Sequence, residues 1–163
     1  MTTTAADVAT QTYVIIVKAE PQAIWDAITN PEQTGRYGYQ GRVEMELRPG
    51  GAYRAHPSDA MRDLGARDVI ADGEVVEATP PTRLVHLWNP RFAPEVGGEP
   101  ATRLTWELTA ADFGGTKLTL THELAGTPST AAMVAGAPGS GGGWAFVLSD
   151  LKTLLETGSA IAG

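Results

Sequence analysis

The stretch from Gly141 to Gly158 limits what this chain can fold into more than any other. Trp144, Val147, Leu148, Leu151, Leu154 and Leu155 recur at i, i+3, i+4, i+7, i+10 and i+11, a wide apolar stripe at helical period. Ser140 and the glycines after it supply a start, and Gly158 supplies a left-handed stop just past the last apolar residue. Burying such side chains is worth about 1.5–3 kcal/mol each. Summed over the stripe, that rivals the net stability of a typical domain, so the helix must lie on something large. Most of the chain upstream reads as strand, and a sheet is what can receive it.

Residues 11–18 are rich in β-branched side chains and read as a first strand. Pro21 then opens a short helix carrying Ile24, Trp25 and Ile28, and Asn30-Pro31 opens a second that Gly35 stops. Six strands are expected next. The first alternates over Arg42–Leu47, and Pro49-Gly50-Gly51 turns it into Ala52–Ala55. Residues 56–67 are polar and irregular and read as a mobile loop. Residues 69–78, interrupted at Asp72-Gly73, pair through a Pro80-Pro81 turn with Arg83–Trp88, and 89–100 form a long connection. In the last two strands Leu104, Trp106 and Leu108 share one face, as do Leu118, Leu120, His122 and Leu124. Residues 125–143 are low in complexity, with Met133-Val134 as an apolar tip, and read as a partly ordered lid. The expected architecture is α+β: a curved antiparallel sheet of about seven strands around a long C-terminal helix, with two short helices after strand 1. A disordered tail over 1–10, one domain over 11–158 and a C-terminal tail over 159–163 complete it.

With 163 residues, 42% hydrophobic, the chain has length for one sizeable core. The absence of cysteine excludes a disulfide framework, a thiolate metal site and a thiol nucleophile, and fits a cytoplasmic location. A net charge of −7 argues against nucleic acid or an anionic membrane as partner. No apolar run is long enough to span a bilayer, and the first residues lack the pattern of a signal peptide.

Several segments together resemble the START-like (SRPBCC) superfamily. They are Ala19-Glu20-Pro21 with Ile24–Thr29, Arg48–Tyr53, Gly73–Glu77 with Pro80–Leu84, Gly115–His122, and Gly143-Trp144. Within it the pattern is closest to the Aha-type heat-shock-protein ATPase-activator homologues, with similarity also to polyketide cyclase-like and antibiotic self-resistance proteins. The resemblance spans about Thr12 to Thr157. It implies a helix-grip fold with a hydrophobic cavity between sheet and terminal helix, and the fold alone does not select a chemistry. One version it implies is resistance to an enediyne-type natural product, with Gly114 or another exposed glycine as a sacrificial backbone hydrogen-atom donor.

The residues themselves favour a binder of a small hydrophobic or aromatic molecule over an enzyme. Trp25, Trp88, Trp106 and Trp144 are each core candidates, and as a set they suit a cavity wall. Tyr37, Tyr39 and Tyr53 could supply polar anchors. Met133 at the lid, with Leu148 and Leu151 on the helix, completes the candidate ligand-binding set. His122, in phase with core leucines, reads either as a satisfied interior histidine or as a proton-transfer group paired with Tyr53. Glu77 reads as a cavity carboxylate or a solvated strand residue. His56, His86 and His122 lack metal-ligand spacing, no serine sits in a nucleophile motif, and no glycine run forms a phosphate loop, so neither metal nor cofactor is expected. A cyclase or hydrolase, and a co-chaperone-type interaction module, remain as rival classes. Monomer and homodimer both stay open.

Overall fold

The computed structural model describes residues 10–91, 93–112, 114–136 and 142–161. Of the tail expected over 1–10, residues 1–9 lie outside these and Thr10 begins the first strand; the part of the lid over 137–141 and residues 162–163 of the expected C-terminal tail lie outside them too. Seven strands form one antiparallel sheet in the order β1-β7-β6-β5-β4-β3-β2. They are β1 (Thr10–Val17), β2 (Arg42–Met45), β3 (Ala52–His56), β4 (Ala71–Thr79), β5 (Arg83–Pro90), β6 (Thr102–Ala110) and β7 (Thr116–Glu123). Strands β2 to β7 follow one another as a meander, and β1 closes against the last of them, Ile15 opposite Leu118. The chain must therefore travel from one edge of the sheet to the other after β1. It does so through α1 (Pro21–Thr29) and α2 (Pro31–Thr34), which bury Ile24, Trp25 and Ile28.

The terminal helix, here α6 (Gly143–Thr157), ends with Gly158 in the left-handed conformation, its N–H donating to the Leu154 carbonyl. Leu148, Leu151 and Leu154 are buried, and Trp144, Val147 and Leu155 pack partly buried on the core. Facing them are Leu104, Trp106 and Leu108 of β6 and Leu118, Leu120 and His122 of β7, an inward set that the pleat selects at every second position. The helix also covers the free edge of β1. Lys152 Nζ donates to the Ile16 carbonyl at 2.8 Å, and Glu156 accepts from the Lys18 N–H at 2.7 Å, so part of that edge cannot pair with another strand.

Three segments differ from the sequence expectation, each for a local reason. Residues 56–67 contain a short helix, α3 (Asp59–Asp63), because the Ser58 hydroxyl accepts from the Met61 N–H and caps it. Strand β4 runs through Asp72-Gly73 unbroken, and its irregularity falls between Val75 and Glu77. The 89–100 connection holds a single turn, α4 (Pro94–Gly97), and the lid segment holds α5 (Pro128–Val134). Pro128 suits the start of α5, and Glu99 caps it by accepting from the N–H groups of Ser129 and Thr130 and from the Thr130 hydroxyl. Burial pushes the Glu99 carboxyl up, but these donors outweigh it and hold the group below the usual carboxylate range. Gly143 joins α5 to α6 at close quarters: its φ is +59°, and a β-carbon there would overlap the Val134 carbonyl. After Thr157 the chain folds back, and the Ile161 N–H reaches the Asp150 carboxylate at 2.6 Å.

Candidate functional site

The alternation that builds the inner face of the sheet places polar rings among its leucines. On β5 the inward residues are Leu84, His86 and Trp88. Register sets His86 opposite Leu104, and Leu104 opposite His122, so the two imidazoles lie in one row with a single strand between them. Trp88 lies opposite Thr102 in the next row, and Leu84, Trp106 and Leu120 form the row on the other side. From above, α6 lowers Trp144 into the same space. Its ring centroid lies 5.7 Å from Trp106, 5.9 Å from His122 and 6.3 Å from Trp88. Tyr53 of β3 stacks flat on His86, centroids 4.3 Å apart and planes 13° apart.

The hydrogen bonds of this cluster settle its proton positions. An indole N–H only donates, so Trp144 Nε1, 3.0 Å from His122 Nδ1, leaves that nitrogen unprotonated. His122 therefore carries its hydrogen on Nε2 and donates to the Thr102 hydroxyl at 2.8 Å, and Thr102 passes its own hydrogen to the Trp88 carbonyl at 3.1 Å. His86 holds the opposite tautomer: Nε2 accepts from Trp106 Nε1 at 3.2 Å, and Nδ1 donates to the Leu87 carbonyl at 3.1 Å. Both rings are neutral, and all four ring nitrogens are committed. Burial pushes the His86 imidazole down to about 4, against some lift from its bond to Leu87. Burial likewise pushes His122 down to about 3, with the neighbouring His86 adding to the fall.

The structure thus brings together Tyr53, Trp88, Trp106, His122 and Trp144 from the expected set. Leu148 and Leu151 belong to the core between helix and sheet, and Trp25 is buried in that same core on α1. Tyr37 is also buried, donating its hydroxyl hydrogen to the Ala27 carbonyl at 3.0 Å, and burial raises its phenol well above the ordinary value. Tyr39, by contrast, is 46% exposed; its oxygen accepts from the N–H groups of Gly142 and Gly143, and its ring packs on Phe146. Met133 sits half-buried near the end of α5. Gly114 is exposed in the β6–β7 hairpin, at the far end of β6 from Thr102, roughly 25 Å along the strand. Glu77 faces outward and pairs with Arg83.

Sequence reasoning passed over His86, Thr102 and Asp150. His86 was open to the phase argument used for His122, since it alternates with Leu84 and Trp88. Asp150 is 1% exposed and uses both carboxylate oxygens: Oδ2 accepts from the Gly38 N–H at 2.8 Å and Oδ1 from the Ile161 N–H. It thereby fastens the 36–41 loop and the C-terminal segment to α6.

Two open hollows lie outside the tryptophan cluster. One, of about 340 Å³, runs across β3, β4 and β5 beside Arg54, Gly73, Leu87 and Asn89. The other, of about 650 Å³, lies between α2, β2 and α3, with Arg42, Glu44, His56 and Arg62 around it. Among the described residues no cluster of three or more His, Asp or Glu side chains could hold a metal ion. Among them, too, no helix is long and apolar enough to cross a membrane.

Solved structures resembling this one include three informative cases. The Hsp90 activator PFC0360w of Plasmodium falciparum is 20% identical with a TM-score of 0.63, over 91% of this chain and 96% of that one. CalU16 of Micromonospora echinospora is 21% identical with a TM-score of 0.63, over 91% and 77%. DynU16, a protein of the dynemicin biosynthetic locus, is 24% identical with a TM-score of 0.67; 93% of this chain matches 49% of that one, so this chain spans about half its length. At these identities the likeness shows the fold, which is the expected helix-grip arrangement. No curated protein matches the sequence. The sequence model of the family described as "Activator of Hsp90 ATPase homolog 1-like protein" matches residues 18–156, and the chain belongs to that family.

Proposed function

We propose that this protein binds a small, largely apolar aromatic molecule without transforming it, at the cluster of Trp88, Trp106 and Trp144 between sheet and terminal helix. The observation that carries this reading is the commitment of all four imidazole nitrogens. A general base needs a free lone pair within reach of its proton, and His86 and His122 have none to offer. What the site does offer is ring faces and edges, and Trp88 and Trp144 remain only partly buried. Aromatic pairs beyond their area of contact are worth about 0.5–1.5 kcal/mol each, so a flat guest slipped among these rings gains both burial and stacking. The indoles already touch one another, so a guest enters by parting Trp144 from Trp88.

Tryptophan emission tests this directly, because three of the four tryptophans sit in the cluster. Titration with a panel of two- and three-ring aromatic compounds should give saturable quenching or a shift in wavelength. No response across the panel refutes the reading. Turnover of any member that disappears in His122→Ala, with affinity kept, would move the protein into the enzyme class.

Sequestration of a toxic natural product is one form this binding takes, supported by similarity to a protein of the dynemicin locus. A sacrificial role for Gly114 then requires the product to sit at the β6–β7 hairpin, away from the tryptophans. Mass spectrometry after exposure to activated drug decides it, since an intact chain removes the idea. The family's name and the likeness to an Hsp90 activator support a second reading, docking to a chaperone ATPase. A failure of purified Hsp90 to bind the protein or change its ATPase rate would set it aside.

A further inference from the structure

Within the tryptophan cluster the hydrogen bonds of the described residues close on themselves except at two donors. Trp106 is spent on His86, and His86 on the Leu87 carbonyl. Trp144 is spent on His122, His122 on Thr102, and Thr102 on the Trp88 carbonyl. Two donors remain, the Trp88 indole N–H and the Tyr53 hydroxyl, neither with an acceptor among the described residues; burial raises the Tyr53 phenol, and the nearby Trp88 indole offsets part of that rise. The stack on His86 fixes the plane of the Tyr53 ring. A phenol hydrogen turns in that plane, so the stack limits the directions in which Tyr53 can donate.

The remaining chemistry of the cluster is negative in a useful way. Its side chains are indoles, neutral imidazoles, a phenol, a threonine and leucines, with no formal charge among them. An ionised carboxylate or ammonium placed there would be buried without a counter-charge, which is costly. A guest hydroxyl or amide N–H would find the four imidazole nitrogens already in use, whereas a guest acceptor meets donors that are free.

We infer that the bound molecule is neutral and presents a carbonyl-type oxygen, such as that of a ketone, quinone or lactone, to the Tyr53 hydroxyl from a flat apolar body. This rests on the binding proposed above and adds the polar half of the recognition. Tyr53 is in this account a binding residue, selecting among aromatic guests by a single donated hydrogen bond.

Three matched probes separate the two claims: 2-ethylnaphthalene, 2-acetylnaphthalene and 2-naphthoate, titrated into the full chain and followed by tryptophan emission and calorimetry. The ketone is expected to bind roughly two- to tenfold tighter than the hydrocarbon, the range of one net hydrogen bond, and the anion more weakly than either. Tyr53→Phe keeps the ring stacked on His86 and removes only the hydroxyl. It should erase the preference for the ketone while leaving 2-ethylnaphthalene affinity within a factor of two. Equal binding of ketone and hydrocarbon to the unaltered protein, or a ketone preference that survives Tyr53→Phe, overturns this inference but leaves aromatic binding standing. Tighter binding of the naphthoate overturns it as well. If no probe binds, both claims fall. Circular dichroism of Tyr53→Phe confirms that the variant folds.

Discussion

Mild acid should weaken this protein well before its carboxylates titrate, because two interior imidazoles must remain neutral for the fold to close. In the unfolded chain each histidine titrates near 6.5; in the folded chain His86 is held down to about 4 and His122 to about 3. Between those values the unfolded state carries more protons, so stability rises with pH. The contribution is complete above about 6.5 and is lost as pH falls toward 4. At pH 5 each imidazole has cost about 2 kcal/mol relative to pH 8, or about 4 kcal/mol for the pair. That is a large part of an ordinary domain's margin. Glu46, Glu99 and Glu156, held below the usual carboxylate range, add their losses only under about pH 4.5, so the window from 6.5 to 5 belongs to the histidines. Urea unfolding followed by far-ultraviolet circular dichroism at pH 7.5, 6.5, 6, 5.5 and 5 measures this. The slope between pH 6 and 5 should approach 2.7 kcal/mol per unit, the value for two excess protons. His122→Gln, which cannot titrate, should bring it to about half. A flat stability from 7.5 to 5, or an unaltered slope in His122→Gln, refutes the assignment of neutral, fully bonded rings.

Asp150→Asn is expected to behave as a damaging change despite its similar size. Asparagine has one acceptor oxygen where Gly38 and Ile161 each present an N–H, so one donor must face an amide hydrogen; a loss of about 1.5–3 kcal/mol in urea unfolding is expected, and a loss below 0.5 kcal/mol would contradict it. Gly73→Ala should be among the most harmful single changes in the sheet, because the added carbon overlaps the Leu87 carbonyl. It should lower the thermal midpoint by several degrees or more through disruption of the β4–β5 pairing, and an unchanged midpoint would show that the strands can separate there without cost.

The parts of this fold that are legible in the sequence are those fixed by period and by local punctuation. The stripe from Trp144 to Leu155 and the stop at Gly158 locate α6 to within a residue or two. The alternation Leu104–Trp106–Leu108 against Leu118–Leu120–His122 gives both the pairing and the inward face of β6 and β7. What escaped depends on partners far away in sequence. The low-complexity stretch read as a partly ordered lid gives no sign of α5, which Glu99, some 30 residues earlier, caps with three hydrogen bonds. Tyr39 reads as a loop aromatic until α6 arrives and sets two N–H groups on its oxygen. Asp150 shares the buried side of α6 with Val147, Leu151 and Leu154; a count of apolar residues passes over it because a carboxylate lowers the score of the face that it helps to hold.

The candidate site shows the same division more sharply. That His122 points inward follows from its phase with leucines, and the same holds for His86 between Leu84 and Trp88. Phase cannot say what an inward histidine does, because a base, a ligand contact and a core residue all require the same alternation. The deciding quantity is the number of ring nitrogens left without a partner. For His122 it is set by Thr102 and Trp144, and for His86 by Trp106 and the neighbouring backbone. Each indole removes one lone pair from proton chemistry and in return satisfies a polar atom that burial would otherwise penalise. Tryptophan therefore serves twice in this chain: all four supply apolar surface, and Trp106 and Trp144 quiet the imidazole nitrogens beside them. With all four imidazole nitrogens engaged, the cluster presents ring faces, ring edges and the Tyr53 hydroxyl, and it is on these that the proposed binding rests.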